Sequence, residues 1–310
     1  MQDQRVLVTG GAGFIGSNLA NALADDNDVV VVDDEYLGTA DNLTDPVEYH
    51  EASVLDEDLP TDVDAVFHLA ALSSYAMHED DPQQGARVNV EGFVNVVEQA
   101  RQDGCDTVVY ASTSSIYGSR TEPSPEDMAI DANTGYEASK LARERYAEYF
   151  ANHYDITCAG MRFFSVYQGY GGAEAHKGEY ANVIAQFAAD MAEGESPVLY
   201  GDGEQTRDFT HVDDVVRALE TAADHDLDGI YNVGTGDAYS FNTVVELLND
   251  ELGTDINPEH VENPIPEDVY VHDTCADASK LHEATGWEPQ VSFREGIEQV
   301  CAPYADEICR

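Results

Sequence analysis

A glycine-rich turn near the start of the chain most narrows the folds that this sequence can adopt. An apolar run at 6–8 is followed by Gly10, Gly13 and Gly16, and then by a segment of helical periodicity that reaches about residue 23. A second apolar run follows at 29–32, so the order is strand, glycine turn, helix, strand. Glycines at this spacing let the backbone approach a pyrophosphate at the amino end of the helix. The sequence therefore predicts a βαβ unit that binds a dinucleotide.

An acidic residue at the end of the second strand indicates which dinucleotide. Asp33 follows the glycine turn by about twenty residues, the position from which a carboxylate binds the adenosine ribose hydroxyls. The next residues are Asp34 and Glu35, which would repel a 2′-phosphate, so we expect NAD rather than NADP. The residues of this unit that we expect to contact NAD are Gly10, Gly13, Phe14, Ile15, Gly16 and Asp33.

Apolar runs and helical segments continue to alternate beyond this unit. Runs at 65–67, 107–110 and 156–159 are separated by helical periodicity around 85–102 and 135–152. Continuous apolar runs are typical of parallel strands covered on both faces, so we expect an α/β fold with a doubly wound parallel sheet, the Rossmann arrangement, over residues 1–165. After that the pattern indicates loops, helices near 179–193, 241–252 and 291–302, and strands near 197–200 and 229–232. Residues 166–310 are therefore expected to form a smaller α/β substrate-binding lobe, with some segments packing back on the first domain.

A tyrosine and a lysine four residues apart mark a candidate reaction centre. Tyr136 and Lys140 stand at the start of a helical segment, so their side chains leave the same face. A tyrosine that acts as a base near pH 7 needs its pKa, about 10 in water, to fall by about 3, which a nearby ammonium and a cationic nicotinamide favour. The strand at 107–110 runs into a hydroxyl-rich segment at the edge where parallel sheets place their chemistry.

Several motifs in the same order give the chain a family resemblance. They are the glycine turn, Phe67-His68-Leu69-Ala70-Ala71, Val88-Asn89-Val90-Glu91-Gly92, Ile116-Tyr117-Gly118, Tyr136 with Lys140, Arg162-Phe163-Phe164-Ser165-Val166-Tyr167, Gly201-Asp202-Gly203 with Arg207-Asp208-Phe209, and Ala276-Asp277 with Ser279-Lys280. In these motifs the chain resembles the extended short-chain dehydrogenase/reductase family, in its NAD-dependent sugar-nucleotide epimerase/dehydratase branch. The resemblance covers nearly the whole chain.

The resemblance implies roles for individual residues. Tyr136 would be the acid/base, Lys140 would bind the nicotinamide ribose and lower the pKa of the tyrosine, and Thr113 would hydrogen-bond the reacting sugar oxygen. The further contacts that it implies are Leu69, Ala70, Ala71 and Asn89 with NAD, and Ser165, Asn182 and Arg207 with a nucleotide-sugar substrate. His68 would pack against NAD. His176 and Lys177 either contact a substrate phosphate or belong to an exposed loop. No metal is implied.

The hydroxyl-rich strand end favours one reaction within that branch. Relatives that eliminate water carry Thr-Asp-Glu there, whereas this chain has Thr113, Ser114 and Ser115, so the acids for elimination are absent. We expect epimerisation at C4 of a nucleotide sugar of the UDP-glucose/UDP-galactose type through a transient 4-keto sugar. The alternatives are an NAD-dependent sugar or sugar-nucleotide dehydrogenase that releases NADH, and a non-catalytic NAD-binding module. The chain departs from the family pattern at Ser165, usually asparagine, and at 263–268, which lacks the usual phosphate-binding arginine.

The composition excludes several partners and compartments. The 310 residues contain 14 Lys and Arg against 62 Asp and Glu, a net charge of −48, which excludes nucleic acids and anionic membranes as electrostatic partners. No apolar stretch is long enough for a membrane span or a signal peptide, so we expect a cytoplasmic protein. The resemblance implies a homodimer that pairs through the helices at 85–102 and 135–152. The five cysteines Cys105, Cys158, Cys275, Cys301 and Cys309 lack CxxC spacing and indicate neither disulfides nor zinc.

The charge also generates a prediction about salt. Only three lysines occur, and the acids are spread over the whole length, a pattern typical of adaptation to high salt. At about 1 M salt the Debye length is roughly 3 Å, so repulsion between surface carboxylates is screened there and unscreened in dilute buffer. We expect the protein to lose structure when potassium chloride is reduced from molar to millimolar concentration. Circular dichroism measures this, and an unchanged spectrum would contradict it.

Overall fold

The computed structural model of the protein describes residues 1–44, 46–267 and 269–305. Cys309 and Asp268, the last residue of the segment without the expected arginine, lie outside the described residues. Cys105, Cys158, Cys275 and Cys301 are buried and free. No helix in the described ranges combines the length and apolar character needed to cross a membrane.

The elements alternate between strands and helices through the first half of the chain. The strands are β1 (Arg5–Thr9), β2 (Asp28–Asp33), β3 (Glu48–Glu51), β4 (Ala65–His68), β5 (Thr107–Thr113), β6 (Thr157–Phe163), β7 (Val166–Tyr167), β8 (Val198–Tyr200), β9 (Thr206–Asp208), β10 (Thr210–His211), β11 (Gly229–Val233), β12 (Ala238–Ser240) and β13 (Glu259–Val261). The α-helices are α1 (Phe14–Leu23), α2 (Tyr75–Asp80), α3 (Pro82–Ala86), α4 (Gly92–Asp103), α5 (Gly135–His153), α6 (Val183–Ala192), α7 (Val212–Asp224), α8 (Phe241–Leu252), α9 (Ser279–Thr285) and α10 (Phe293–Cys301).

A seven-stranded parallel sheet forms the centre of the fold. Its strand order is β11-β6-β5-β4-β1-β2-β3, which confirms the expected doubly wound α/β fold. One face packs against α1 and α7 through Leu19 and Leu219, and the other against α4 and α5 through Phe93 and Phe150. The central strands are buried on both sides, so their apolar runs are continuous. Every carboxyl end of these strands points to the same edge of the sheet, where a site can form.

A second hydrophobic core lies in the part of the chain after residue 165. Its helices α6, α8 and α10 pack together through buried side chains such as Ile184, Leu248 and Ile297. Three two-stranded sheets, β7 with β10, β9 with β12 and β8 with β13, surround this core. Strand β11 and helix α7 return to the large sheet, so part of the later sequence completes the first core.

The predicted helix at 85–102 is interrupted. Residues 87–91 form a π-helical turn between α3 and α4, and this turn carries Asn89 with its side chain fully buried. A homodimer is expected to form through the exposed faces of helices α4 and α5. Tyr146 and Tyr149 on α5 are 44% and 42% exposed there. Dimerisation stays a prediction.

A buried ion pair joins α5 to the large sheet. Glu144 of α5 accepts two hydrogen bonds from Arg162 of β6, at 2.9 and 2.7 Å, and both side chains are almost fully buried. Ser112 of β5 donates a third bond to Glu144 at 2.6 Å. Arg162 also donates to the hydroxyl of Tyr117 at 2.7 Å, which in turn donates to Asn232 of β11 at 2.7 Å. The network connects three neighbouring strands to the helix that carries Tyr136 and Lys140.

Removal of the carboxylate is expected to destabilise the protein. In Glu144→Gln the Arg162 cation stays buried without its partner charge, which costs about 3–5 kcal/mol in the free energy of unfolding. Glu148→Gln, four residues further along α5, is the matched control because the Glu148–Arg145 pair is exposed and such pairs contribute little. Urea denaturation at constant high salt measures both variants. Equal losses in the two would contradict the prediction.

Candidate active site

A cavity of about 450 Å³ opens at the carboxyl edge of the large sheet. The ends of β2 and β5 and the segments that follow β1, β4 and β6 form its walls, and α5 closes one side. The residues predicted from the sequence that line it are Gly10, Gly13, Phe14, Ile15, Gly16, Asp33, Leu69, Ala70, Ala71, Thr113, Tyr136, Lys140, Ser165 and Arg207. Asn89 and Asn182 are not among its lining residues.

The glycine turn is tight because neighbouring backbone leaves no room for side chains. A Cβ at Gly16 would lie 2.1 Å from the carbonyl oxygen of Gly10, and one at Gly10 would lie 2.6 Å from the amide nitrogen of Ala70. Gly10 also has a φ of +68°, which favours glycine. The turn therefore presents bare backbone at the amino end of α1, the arrangement that receives a dinucleotide pyrophosphate.

Asp33 lies at the end of β2, where a carboxylate that binds the adenosine ribose is expected. Its carboxylate accepts hydrogen bonds from the amides of Ala12 at 3.0 Å and Glu35 at 2.8 Å. Burial raises the pKa of Asp33, and the two amides oppose that shift. The other charges that act on it are those of Asp34 and Glu35, so this end of the cavity suits ribose hydroxyls and disfavours a 2′-phosphate.

A capping box begins α5 and fixes the position of Tyr136. The Thr134 hydroxyl accepts from the Glu137 amide at 3.2 Å, and the Glu137 carboxylate accepts from the Thr134 amide at 3.2 Å. Tyr136 and Lys140 then follow on one face, as their spacing predicts. The Nζ of Lys140 lies 5.8 Å from the centre of the Tyr136 ring and donates to the carbonyl of Ala111 at 3.2 Å.

Burial and the charge of Arg143 both shift the pKa values of Tyr136 and Lys140. Burial raises the pKa of Tyr136, whereas its hydrogen bond with Thr113 and the positive charge of Arg143 lower it. Burial lowers the pKa of Lys140 well below its usual range, and Arg143 lowers it further. Cations near the phenol therefore offset part of the cost of forming a buried phenolate.

The end of β5 supplies hydroxyl groups to the cavity. The hydroxyls of Thr113 and Ser115 are 3.0 Å apart, and the amide of Ser115 donates to Thr113 at 3.2 Å. Ser114 also lines the cavity. The positions where water-eliminating relatives carry carboxylic acids thus hold alcohols, as the sequence indicates.

Arg143 is a residue near the site that the sequence analysis missed. Its guanidinium is fully buried and donates to the carbonyls of Asn89 at 3.1 Å, Ala111 at 3.1 Å and Ala70 at 3.0 Å. Burial lowers the pKa of Arg143 to about 10. The sequence spacing could have indicated Arg143, because a residue three positions after Lys140 lies on the same face of a helix as Lys140.

Two residues predicted to contact NAD lie beneath the cavity floor. Asn89 accepts from the amide of Leu72 at 2.8 Å and donates to the Ser139 hydroxyl at 2.9 Å, so it holds the segment after β4 against α5. His68 is fully buried, bonds Thr9 through Nδ1 at 3.0 Å and is not among the lining residues. Burial lowers the pKa of His68 well below its usual range. Both buried side chains therefore hold together the segments beneath the cavity through hydrogen bonds.

Arg207 of β9, which was expected to contact a substrate, lies in the cavity wall. Its guanidinium donates to the carbonyls of Thr206 at 2.8 Å and His272 at 2.7 Å, and it lies 5.7 Å from the centre of the Tyr270 ring. Burial lowers the pKa of Arg207. Arg207 also donates to the carbonyl of Val271 and lies 5.5 Å from the centre of the Phe241 ring, so its guanidinium is held in the cavity wall by backbone and aromatic contacts.

Asn182 hydrogen-bonds backbone atoms next to the cavity and does not itself line the cavity. Its side chain caps α6 through the amide of Ile184 at 3.1 Å and donates to the carbonyls of Ser165 at 3.3 Å and Val166 at 3.1 Å. Ser165 lines the cavity with a φ of +27°, in the left-handed region. Asn182 thus bonds the backbone of Ser165, which lines the cavity, and its contact with a diphosphate stays a prediction.

Comparison with known proteins gives the same fold and cofactor. The NAD dependent epimerase/dehydratase family matches residues 6–234. A UDP-glucose 4-epimerase of Mycolicibacterium smegmatis is 36% identical over 94% of this chain and 96% of that protein. Curated relatives of comparable identity also include decarboxylases of UDP-sugar acids.

Solved structures superpose over nearly the whole length. A UDP-N-acetylglucosamine 4-epimerase of Methanobrevibacter ruminantium, in complex with UDP-N-acetylmuramic acid, has a TM-score of 0.91 and 29% identity, covering 99% of this chain and 100% of that one. A Thermus thermophilus UDP-glucose 4-epimerase in complex with NAD has a TM-score of 0.85 and 32% identity, covering 97% and 98%. The extended short-chain dehydrogenase/reductase resemblance is thereby confirmed: the chain belongs to the NAD-dependent epimerase/dehydratase family, and its cofactor is NAD.

Proposed function

We propose that the protein epimerises a nucleotide sugar at C4, with UDP-glucose and UDP-galactose as the interconverted pair. The observation that carries the proposal is that Tyr136, Lys140 and Thr113 line one wall of the NAD cavity, at a strand end whose other polar side chains, Ser114 and Ser115, are alcohols. Oxidation and reduction at C4 need a hydroxyl pair and a nicotinamide, whereas water elimination needs a carboxylic acid and a carboxylate. A relative named UDP-glucose 4-epimerase, alike over nearly its whole length, supports the choice of sugar.

Tyr136 is proposed to move the proton. Its phenolate removes the proton from the C4 hydroxyl and later returns it, while Thr113 holds the sugar oxygen. When bound, NAD supplies reversible hydride transfer at C4. Lowering the pKa of a tyrosine from about 10 to about 7 takes about 4 kcal/mol of preferential stabilisation of the phenolate. Arg143 supplies part of this, and Lys140 lies close enough to the Tyr136 ring to add to it.

Arg207 is proposed to bind the diphosphate of the substrate. Its guanidinium is already oriented by backbone carbonyls, so little side-chain entropy remains to be lost on binding. A planar guanidinium binds two phosphate oxygens at once. The substrate is thereby placed with its sugar towards Tyr136 and Thr113.

Interconversion of the sugars with no accumulation of NADH is the expected result of a direct assay. The protein is incubated in molar potassium chloride with UDP-galactose and added NAD, and the same sample is followed by NMR for sugar configuration and by absorbance for NADH. Stoichiometric NADH would instead identify a dehydrogenase that releases its reduced cofactor. Absence of both signals would contradict the proposal for this substrate.

Tyr136→Phe is the matched control for that assay, because it removes one oxygen and leaves the ring. We expect the rate to fall by about 10²–10⁴ with NAD binding unchanged. A variant that binds NAD normally and still turns over at the wild-type rate would exclude Tyr136 as the acid/base.

Replacement of Arg143 is expected to shift the pH profile. The Arg143 charge lowers the pKa of Tyr136, so without it the phenol deprotonates at higher pH. In Arg143→Met the ascending limb of kcat/KM against pH should therefore move about one pH unit higher. Arg143→Lys, which keeps the charge, should retain the wild-type position of the limb.

Arg145→Met serves as the control for lost charge alone, since the Arg145 side chain is 72% exposed. It should leave the profile unchanged. A uniform loss of activity in Arg143→Met without displacement of the limb would show that Arg143 acts only through its carbonyl contacts.

A further inference from the structure

A loop from the second part of the chain lies across the amino end of α1. We call residues 168–182, between β7 and α6, the strap. Asn18 of α1 and Gln168 exchange two side-chain hydrogen bonds, at 2.8 and 3.1 Å. His176 bonds Asn42 at 3.0 Å, and the same Asn42 amide donates to the carbonyl of Ala12 in the glycine turn at 3.0 Å. The strap is thus docked on the dinucleotide-binding unit from two sides.

A buried carboxylate holds the strap closed on itself. Glu174 is fully buried and accepts from the amides of Gln168 at 3.0 Å, Gly169 at 2.9 Å and Asn182 at 2.5 Å. These bonds tie the two ends of the strap together. The Glu174 carboxylate therefore satisfies backbone donors within the strap itself.

Lys177 extends from the strap into the cavity wall. Its Nζ lies 5.3 Å from the centre of the ring of Phe14, the first residue of α1. Among residues 1–44, 46–267 and 269–305, no carboxylate forms an ion pair with it. Burial lowers the pKa of Lys177, and the charge of Glu174 raises it. The Glu174 oxygens are occupied by backbone amides, so the half-buried Lys177 ammonium has no carboxylate at ion-pair distance in the described part of the chain and can bind a ligand anion. Two of the three lysines, Lys140 and Lys177, line this one cavity.

The position of Lys177 distinguishes the two phosphate groups that the cavity must receive. Phe14 stands where the glycine turn enters α1, the place of a dinucleotide pyrophosphate. Arg207 lines the cavity from β9, where the substrate is proposed to bind. Lys177 and Arg207 therefore serve different diphosphates, and the alternative that Lys177 contacts a substrate phosphate is disfavoured.

We propose that Lys177 is a cofactor-binding residue, and that the strap closes over the NAD diphosphate with the Lys177 ammonium as its ionic contact. NAD then leaves only when the strap undocks from α1. Retention of the cofactor suits a reaction that reuses it in each turnover. The inference rests on NAD as the cofactor and not on which sugar is converted.

The test compares Lys177→Met with Lys280→Met. Both remove one positive charge, but Lys280 is exposed and bonds the carbonyl of Ile230 away from the cavity. The dissociation rate of bound NADH is measured from its fluorescence after a chase with excess NAD, at one fixed salt concentration. We expect Lys177→Met to release NADH about tenfold faster, as for the loss of one charge-assisted hydrogen bond, and Lys280→Met to match the wild type. Lys177→Arg should retain slow release.

Two further ligands locate the contact. ADP-ribose, which keeps the diphosphate and lacks nicotinamide, should bind Lys177→Met about tenfold more weakly. UDP should bind the NAD-loaded variant as it binds the wild type. Weaker UDP binding with unchanged NADH release would assign Lys177 to the substrate and overturn the proposal, as would unchanged values for all three ligands. None of these readouts depends on sugar turnover, so failure here is distinguishable from failure of the proposed epimerase activity.

Discussion

The site depends on which of three buried charged side chains of α5, those of Lys140, Arg143 and Glu144, have a partner of opposite charge. Glu144 is matched by Arg162 at hydrogen-bond distance, so this pair is structural. Lys140 and Arg143 both donate to the carbonyl of Ala111 and find no carboxylate at hydrogen-bond distance in the described structure. Backbone carbonyls orient a cation without cancelling its charge. The helix therefore brings the positive charge of Arg143 to the site, and that charge favours a phenolate at Tyr136.

The cations at the cavity also oppose the repulsion that the acidic composition would exert on anionic ligands. A surface with a net charge of −48 repels a dianionic nucleotide sugar and a dinucleotide alike. The cavity wall contains Lys140, Lys177 and Arg207, and Arg143 lies behind it. Other cations, such as Arg5 and Arg101, are paired with surface acids. Several of the few basic residues are thus gathered at one cavity, while others are used in surface ion pairs.

The sequence predicted the elements of the sheet far better than the direction of individual side chains. The apolar runs located the buried strands, and the glycine turn with Asp33 located the cofactor end, because both depend on local spacing. Strand β3 escaped notice since its residues are only half-buried and polar. Asn89 was placed at the cofactor, but a π-helical turn rotates it under the floor. Such rotations depend on tertiary packing, which a one-dimensional pattern does not contain.

The sequence also did not predict the contacts of side chains that position other residues instead of lining the cavity. Arg143 binds three carbonyls from separate segments, and their convergence exists only after folding. Asn182 was expected at a substrate phosphate, whereas in the structure its side chain donates to the Ser165 and Val166 carbonyls. A motif identifies that a position matters without saying whether the side chain faces the ligand or the backbone behind it.

The two ends of the cavity are built differently, and this bears on how one family carries several reactions. The cofactor end consists of glycine backbone and a carboxylate fixed by amides, so it tolerates little change. The substrate end consists of side chains and of the segment that supplies Val271 and Thr274 to the wall. Substitutions there alter which sugar is held and which of its atoms lies near Tyr136, while hydride transfer at the fixed cofactor stays available. Relatives that epimerise and relatives that decarboxylate UDP sugars are consistent with such a division. In this chain the end of β5 offers alcohols to the cavity, and these fit the proposed epimerisation better than water elimination.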